Sequence, residues 1–449
     1  MNAYEFSRKP RKVPLVGTAH RMIDTEIPAP GTEAILARLD AVESRSMHGQ
    51  LPIVWEHAYD YIVSDIGGNE FIDFTSGIFV ANIGHCNESL IEALNEANDL
   101  GALHSYTYAT EIRVEYLEKL TRWSEFEKAF LVSSGTEATE AALKLMRLYG
   151  QKFGKRRPGI ICIEGNWHGR TMGAQMMSSD PRQKAWIGLQ DPNITYLPFP
   201  HPDIIAAMED DGTRFFEHYI TRILPARMIT EDDLCGVMLE TFQGWGALFY
   251  PVAFVQAIER WCNEYGVLLC FDEMQAGFAR TGKKFGFEHY GVTPDLICVG
   301  KGMGGGVPLS GVLGRAELLD LPEVGEMSST HSANPLCCAA GLAVINEIDR
   351  LDLVKEAERK GNILMLHLQS FPVAYPHIIT SAQGKGLIAA LHFNNGEIAS
   401  RVAERCMEKG LLVVHTGRES IKIGPPLTIP DDALLEGVAV IGESISEIA

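Results

Sequence analysis

Two residues of complementary chemistry stand where two buried strands are predicted to end. An apolar run at residues 267–271 ends on Asp272, and a second run at 296–299 is followed by Gly300 and Lys301. Short apolar runs of this kind are typical of strands in a parallel sheet. The carboxyl ends of such strands face the crevice where open α/β sheets bind ligands. A lysine amine that forms a Schiff base and an acid that keeps a ring nitrogen protonated are the pair that pyridoxal phosphate chemistry requires.

The residues around this pair follow a longer pattern. It reads Asp272-Glu273-x-Gln275-x-Gly277-x-x-Arg280-Thr281-Gly282, then Lys301-Gly302-x-Gly304-Gly305-Gly306-x-Pro308. This pattern resembles the signature of the class III aminotransferases, a branch of the fold-type I pyridoxal phosphate enzymes, and the resemblance extends over roughly residues 45–445. It implies pyridoxal 5'-phosphate as the cofactor and Lys301 and Asp272 as the catalytic residues. It also implies that Gln275 lies near the ring hydroxyl of the cofactor.

The resemblance implies an α/β architecture in two parts. A large pyridoxal phosphate-binding domain with a mostly parallel sheet is expected over residues 75–334. A smaller α+β domain is expected from the two chain ends, with residues 1–74 also contributing to the substrate entrance and residues 335–449 forming the rest. The residues themselves predict a hairpin over 61–74, because two alternating runs flank a Gly-rich turn.

A candidate phosphate site lies between a predicted strand at 129–132 and a predicted helix at 137–149. The residues at the junction are Ser134, Gly135 and Thr136. A strand, a loop of small residues and a helix together aim free backbone N–H groups and the positive helix end at an anion. Many helices begin with such capping residues, but the spacing to Asp272 and Lys301 matches the family and favours a phosphate site.

One threonine is expected to act across a subunit boundary. The segment from Ser329 to Pro335 resembles the Thr-x-x-x-Asn-Pro of the family, in which the threonine reaches the phosphate of the neighbouring subunit. Carried over to Thr330, this implies a homodimer with shared active sites, with a tetramer as a further option.

Other residues are expected to contact the cofactor ring or the substrate. By resemblance, Trp167 stacks on the ring, and a flat aromatic face also excludes water. His168 is assigned a supporting position. Arg170 is a candidate for holding a substrate carboxylate, with a structural salt bridge as an equal alternative. Ile78 and Phe79 are expected as walls of the substrate entrance, although core packing would equally explain Phe79.

Two positions depart together from members of the family that handle α-amino acids. Those members carry a glutamate at the position of Trp245 and an arginine at the position of Lys422. Lysine acts as a point charge without the bidentate fork of arginine. The paired change places the usual 2-oxoglutarate/glutamate partner in question and marks Trp245 and Lys422 as candidate substrate contacts.

The composition excludes several partners and compartments. The formal net charge of -19 disfavours nucleic acid and anionic membranes. The sequence contains no long uncharged apolar run, and the N-terminus has no apolar signal core. Nine cysteines without CxxC spacing predict a reduced, cytoplasmic protein with no metal site.

The expected activity is an ω-aminotransferase that works by a ping-pong mechanism. It would move the amino group of a terminal primary amine, such as an ω-amino acid, a diamine or an amino sugar, to a 2-oxo acid. An epimerase or racemase of the same family is the alternative, because Lys301 could return a proton to either face of the substrate. A ligand-sensing regulator is disfavoured, because the chain is acidic and leaves little room for a DNA-binding module before residue 45.

Overall fold

The computed structural model describes residues 4–47 and 49–449, and its N-terminal part contains a small antiparallel sheet. The strands lie in the order β1-β2-β5-β4-β3. Their bounds are Val16–Gly17 (β1), Met22–Ile23 (β2), Trp55–Tyr59 (β3), Ile62–Asp65 (β4) and Glu70–Asp73 (β5). β4 and β5 pair antiparallel across a Gly-rich turn, which confirms the predicted hairpin.

The central sheet has the order β6-β14-β13-β12-β9-β7-β8. Its strands, together with the short hairpin β10–β11 that follows β9, are Lys128–Val132 (β6), Gly159–Ile163 (β7), Ile194–Leu197 (β8), Leu234–Glu240 (β9), Phe242–Gln243 (β10), Leu248–Phe249 (β11), Leu268–Asp272 (β12), Leu296–Val299 (β13) and Ser310–Gly314 (β14). β14 runs antiparallel to both of its neighbours, and the other neighbouring strands run parallel. The prediction of a large, mostly parallel sheet is therefore confirmed.

The C-terminal part contains an antiparallel sheet and joins the N-terminal part. Its strands are Ile379–Lys385 (β15), Ile388–Phe393 (β16), Leu411–Leu412 (β17), Val414–His415 (β18) and Ser420–Ile423 (β19). Four of them form the order β15-β16-β19-β18, whereas β17 pairs parallel with β5. The two chain ends thus share a sheet. β17 and β18 are separate strands because they pair with different sheets.

Helices cover the sheets and connect many of their strands. In chain order they are Thr32–Asp40 (α1), Ser76–Phe79 (α2), Glu88–Asp99 (α3), Glu111–Ser124 (α4), Gly135–Lys152 (α5), Met172–Met177 (α6), Pro202–Ala207 (α7), Thr213–His218 (α8), Leu224–Ala226 (α9), Val252–Tyr265 (α10), Ala316–Leu319 (α11), Pro335–Arg350 (α12), Leu353–Leu368 (α13), Ser370–Ala374 (α14), Gly396–Glu408 (α15) and Asp431–Ser446 (α16). Across residues 4–47 and 49–449, none of these is long and apolar enough to cross a bilayer.

Helices α5 and α10 pack on opposite faces of the central sheet. Ala138 and Leu145 of α5 belong to the same buried cluster as Cys270 of β12. Ile258 of α10 belongs to the cluster that contains Phe271, the next residue of β12. Successive strand residues point to opposite faces, so the sheet is covered on both sides. The open space for a ligand is therefore at the strand ends.

Candidate active site

A cavity of about 390 Å³ opens beyond the carboxyl ends of the central strands. Eight of the residues that line this cavity were predicted from the sequence as site residues: Ile78, Phe79, Trp167, Arg170, Trp245, Gln275, Lys301 and Lys422. These residues come from the N-terminal part, the central sheet and the C-terminal sheet, so all three build its walls.

Lys301 lies just beyond the end of β13, at the start of a 3₁₀ turn. Its backbone is left-handed, with a φ of +46°, which is a conformation that a lysine adopts only when its surroundings impose it. The preceding Gly300 permits this close approach, because a Cβ there would lie 2.4 Å from Ser310 Oγ. Burial lowers the pKa of Lys301, although Asp272 and Glu240 act in the opposite direction. A lowered pKa is what a nucleophilic amine requires.

Asp272 ends β12 and lies beneath the cavity. Its Oδ2 is 2.9 Å from Nδ1 of His168, and its Oδ1 accepts a hydrogen bond from the Met274 N–H at 3.1 Å. The side chains of Asp272 and His168 are almost fully buried. His168 also has a buried Nε2 with no partner among the described residues. The pair therefore forms a buried acid–imidazole unit in which His168 contacts Asp272, as expected for the supporting position predicted for it.

Glu240 is a site residue to which sequence reasoning assigned no role. It ends β9 directly opposite Asp272 in the parallel register, so two acidic residues are neighbours at the carboxyl ends of adjacent central strands. Its Oε2 accepts hydrogen bonds from the Trp167 N–H at 2.9 Å and the Gly244 N–H at 3.3 Å. Burial raises the pKa of Glu240 to about 7. The sequence contained a signal for Glu240, because this acid follows a predicted buried strand in the same way as Asp272 does.

The N-terminus of α5 lies beside the segment that carries Lys301. A Cβ on Gly135 would lie 2.8 Å from Met274 Sδ, and a Cβ on Gly300 would lie 2.6 Å from the same atom. Thr136 Oγ1 is 2.6 Å from Thr171 Oγ1, which ties α5 to the loop after β7. The first N–H groups of a helix have no acceptor within it.

Ser134 is engaged differently from Gly135 and Thr136. Its N–H and its hydroxyl both donate to Glu137 Oε2, at 2.8 Å and 2.9 Å. The backbone N–H groups of Gly135 and Thr136 therefore remain the better anion donors at this helix end.

Two tryptophans form walls of the cavity, and the ring of each is in contact with an arginine guanidinium. The Arg170 guanidinium lies 4.3 Å from the Trp167 ring centre, and that of Arg418 lies 5.2 Å from the Trp245 ring centre. Among the described residues, no carboxylate forms an ion pair with Arg170, so the salt-bridge alternative finds no partner among them. Arg418 and the nearby Asp180 also line the cavity, although the sequence did not nominate them.

Lys422 of β19 reaches into the cavity from the C-terminal sheet. Its Nζ donates to Gln275 Oε1 at 2.5 Å and lies 4.2 Å from the Phe79 ring centre. Burial, with Lys301 and Arg280 nearby, lowers the pKa of Lys422 to about 7. Gln275 is therefore linked to a buried cation.

The wall formed by Ile78 and Phe79 is a tight turn. Both residues are left-handed, with φ values of +67° and +66°. The Ile78 side chain is 39% exposed, whereas Phe79 is 2% exposed and packs in a cluster with Phe242 and Ile388. Phe79 thus lines the cavity and also belongs to the core.

Arg280 fastens this turn to its surroundings. It is 1% exposed and donates to Asn82 Oδ1 at 2.7 Å and Ser76 Oγ at 3.3 Å. It also donates to the carbonyls of Leu387 at 3.0 Å and Pro425 at 2.5 Å. A single guanidinium therefore joins the N-terminal turn, the segment after β12 and the C-terminal sheet.

Thr330 is one of five predicted site residues that do not line the cavity of their own chain, the others being Asp272, Ser134, Gly135 and Thr136. It is exposed and does not line that cavity. Its neighbours are anchored: Ser329 donates to Glu137 Oε1 at 3.4 Å and Ser332 donates to the Leu131 carbonyl at 2.6 Å. The segment thus presents Thr330 outward from a fixed base.

Comparisons with known proteins agree with this geometry. A family model described as Aminotransferase class-III matches residues 44–445. The chain is 31% identical over 403 residues to the acetylornithine aminotransferase of Caldanaerobacter subterraneus subsp. tengcongensis, a match that covers 89% of this chain and 96% of that relative. It is 30% identical over 447 residues to the 4-aminobutyrate aminotransferase of Mycobacterium leprae, covering 95% and 98%. An amine transaminase structure from an uncultivated Pseudomonas species, in a pyridoxal phosphate-bound form, matches with a TM-score of 0.81 at 25% identity, covering 88% and 95%.

Proposed function

Because the chain belongs to the class-III aminotransferase family, we propose that it transfers the amino group of a terminal primary amine to a 2-oxo acid. Class III aminotransferases use pyridoxal 5'-phosphate, and this chain is a member. The observation that carries the proposal is that Lys301 lines the cavity and interacts electrostatically with Asp272, whose buried carboxylate is hydrogen-bonded to His168. A strained, half-buried lysine beside a buried acid is the pair of groups that this cofactor needs.

The residues of this chain fit pyridoxal phosphate on structural grounds. No described residue forms a hydrogen bond with Lys301 Nζ, so its amine is available to the cofactor. The N–H groups of Gly135 and Thr136, with Ser134 at their edge, would hold the phosphate. Trp167 would stack on the ring, Gln275 would face the ring hydroxyl and Asp272 would face the ring nitrogen. When bound, the cofactor supplies an aldehyde that condenses with amines and a ring that accepts electrons.

The chain's own groups then move and hold protons. We assign Lys301 Nζ as the general base and acid that would take up and return the proton of the substrate carbon, since burial lowers its pKa and so favours its neutral form. With the cofactor bound, Asp272 would hold the proton of the ring nitrogen, and the hydrogen bond to His168 holds its carboxylate in place. Glu240 fixes the Trp167 wall through the backbone N–H, which keeps the site shaped and excludes water.

The charges that line the cavity favour a substrate with a carboxylate distant from the reacting amine. The cavity is lined by three basic side chains, those of Arg170, Arg418 and Lys422. The acidic side chain that lines it is that of Asp180. Ile78, Phe79 and Trp245 supply apolar walls for the carbon chain between the two ends. Among ω-amino acids, diamines and amino sugars, this balance favours an ω-amino acid. No observation favours the epimerase or racemase alternative.

We also propose that the enzyme works as a homodimer in which Thr330 completes the phosphate site of the partner subunit. The exposed position of Thr330 on an anchored segment supports this arrangement. A cytoplasmic location stays part of the proposal, supported by cysteines that are all free in the described chain.

The test is a donor panel on purified protein loaded with pyridoxal phosphate. Conversion of the visible absorbance to that of the amine form of the cofactor is followed with 4-aminobutyrate, 5-aminovalerate, ornithine, a diamine and an amino sugar. Pyruvate and 2-oxoglutarate are then tested for reversing it. We expect conversion by an ω-amino acid, reversal by a 2-oxo acid and no visible band in Lys301→Ala. A wild-type protein that binds no cofactor, or racemises an amino acid without forming a carbonyl product, would refute the proposal.

A further inference from the structure

Lys422 is a buried cation whose hydrogen bond is to an amide and not to a carboxylate. Its side chain is about 4% exposed, and its Nζ donates to Gln275 Oε1 at 2.5 Å. Among residues 4–47 and 49–449, no carboxylate forms an ion pair with it. The charged or titratable groups that face it are Lys301, Arg280 and Glu240, of which only Glu240 favours its charged form.

The contact determines which way the Gln275 amide faces. Protonated Lys422 can only donate hydrogen bonds, so in this form it must meet the oxygen of the amide, which is the only acceptor that the Gln275 side chain has. The amide nitrogen is therefore turned away from Lys422. It lies against Gly244, where a Cβ would be 2.1 Å from Gln275 Nε2. No described residue accepts a hydrogen bond from this nitrogen.

Among the described residues Gln275 makes no hydrogen bond other than the one with Lys422, and its side chain lines the cavity, so its donors can serve a group bound there. Gln275, Gly244, Lys301 and Lys422 all line the same space. Only glycine at position 244 leaves room for the amide in this orientation. An N–H donor at this place matches a ring oxygen that accepts, which is the anionic form of the ring hydroxyl.

We propose that Lys422 is a positioning residue that holds the Gln275 amide with its N–H donors toward the ring oxygen of the bound cofactor, and so sets the protonation of the nitrogen that links Lys301 to the cofactor. The inference rests on the proposed function, in which Gln275 faces the ring hydroxyl. A donor at the ring oxygen, with a cation behind it, stabilises negative charge there. The oxygen then holds the proton of the neighbouring nitrogen less tightly, and the pKa of that nitrogen falls.

This role is separable from binding a substrate carboxylate. A carboxylate that reached Lys422 would have to replace Gln275 Oε1 as its acceptor, and it would change KM for acidic substrates. The positioning role instead changes a property of the protein–cofactor pair when no substrate is present. The two roles therefore differ in their readout.

The experiment is a pH titration of the visible absorbance band of the holoenzyme without substrate. In Lys422→Met we expect the midpoint to move upward by about one pH unit, since a hydrogen bond to a charged group and one pKa unit have similar free energies. Arg418→Met is the matched control, because it removes another cation of the same cavity that does not contact Gln275. Its midpoint should stay near that of the wild type.

A double-mutant cycle tests whether Lys422 acts through Gln275. Gln275→Met should also raise the midpoint, and Lys422→Met with Gln275→Met should add little to either single change. An unchanged midpoint in Lys422→Met, or fully additive shifts, would overturn the inference while leaving the aminotransferase function intact. If Lys422→Met does not fold, Lys422→Gln takes its place, because it keeps a donor for Gln275 Oε1 without the charge. The inference would be overturned if both Lys422→Gln and Gln275→Met showed the midpoint of the wild type. A wild-type protein without a visible band would refute the proposed function itself.

Discussion

Replacing Arg280 by lysine should destabilise the protein and loosen the cavity wall. Two terminal nitrogens of the guanidinium serve four buried acceptors: Nη1 reaches the carbonyls of Leu387 and Pro425, and Nη2 reaches Ser76 Oγ and Asn82 Oδ1. A lysine has one nitrogen, which can occupy the place of only one of them. Two acceptors then lose their donor inside the core.

The expected magnitude follows from this count. A buried acceptor left without a donor costs about 1–3 kcal/mol, so Arg280→Lys should lower the free energy of unfolding by about 4 kcal/mol. Burial already lowers the pKa of Arg280 to about 9. A lysine begins from a lower value, near 10.4, so burial would also favour its neutral form and remove another donor.

Urea denaturation of the apoprotein, followed by both tryptophan fluorescence and circular dichroism, measures the change. Arg359→Lys is the matched control, because Arg359 is an exposed arginine paired with Glu356 and Asp431, where screened ion pairs contribute little. A second readout is KM for the best amine donor, which should rise because Asn82 and Ser76 hold the turn that contains Phe79. An Arg280→Lys protein as stable as the Arg359→Lys control would refute the reasoning.

Two further predictions concern Glu240 and Thr330. Burial raises the pKa of Glu240 to about 7, so the folded state favours its protonated form, and that stabilisation is lost as pH rises from about 4.3 through about 7. Glu240→Gln, which is always neutral, should therefore gain stability relative to the wild type between pH 5 and pH 8 in urea titrations, and a constant or opposite difference would contradict the assigned cause. Thr330→Val should speed cofactor release by about tenfold if it reaches the partner's phosphate, as measured by dialysis and residual absorbance. Thr293→Val, a threonine distant from the cavity, is the control, and equal release rates in both variants would exclude the contact.

Local patterns were sufficient for the elements that carry the chemistry. The apolar runs that end on Asp272 and Lys301 became β12 and β13, and the loop at Ser134–Thr136 became the N-terminus of α5. These predictions succeeded because a strand buried on both faces leaves a continuous apolar run, which no solvent-facing residue interrupts. The residue that follows such a run then lies at the carboxyl end of the strand, where the ligand crevice is expected.

Contacts between distant segments were not accessible from the patterns. Arg280 meets acceptors that lie 107 to 204 positions away along the chain, and Lys422 meets Gln275 across 147 positions. The position of Glu240 opposite Asp272 depends on the parallel register of β9 and β12. Neither composition nor periodicity encodes such a register.

The chain alone predicted the cofactor class, through the family resemblance, together with the lysine and the acid proposed to serve it and the alternation of strands and helices. These depend on residue type and on spacing along one segment, both of which are properties of the linear sequence. Only the tertiary structure decided that Lys422 contacts an amide, that Arg170 and Arg418 lie on tryptophans and that Thr330 is exposed and does not line the cavity of its own chain. Those outcomes depend on which side chains share a buried volume, and burial is a property of the packed molecule and not of any single segment.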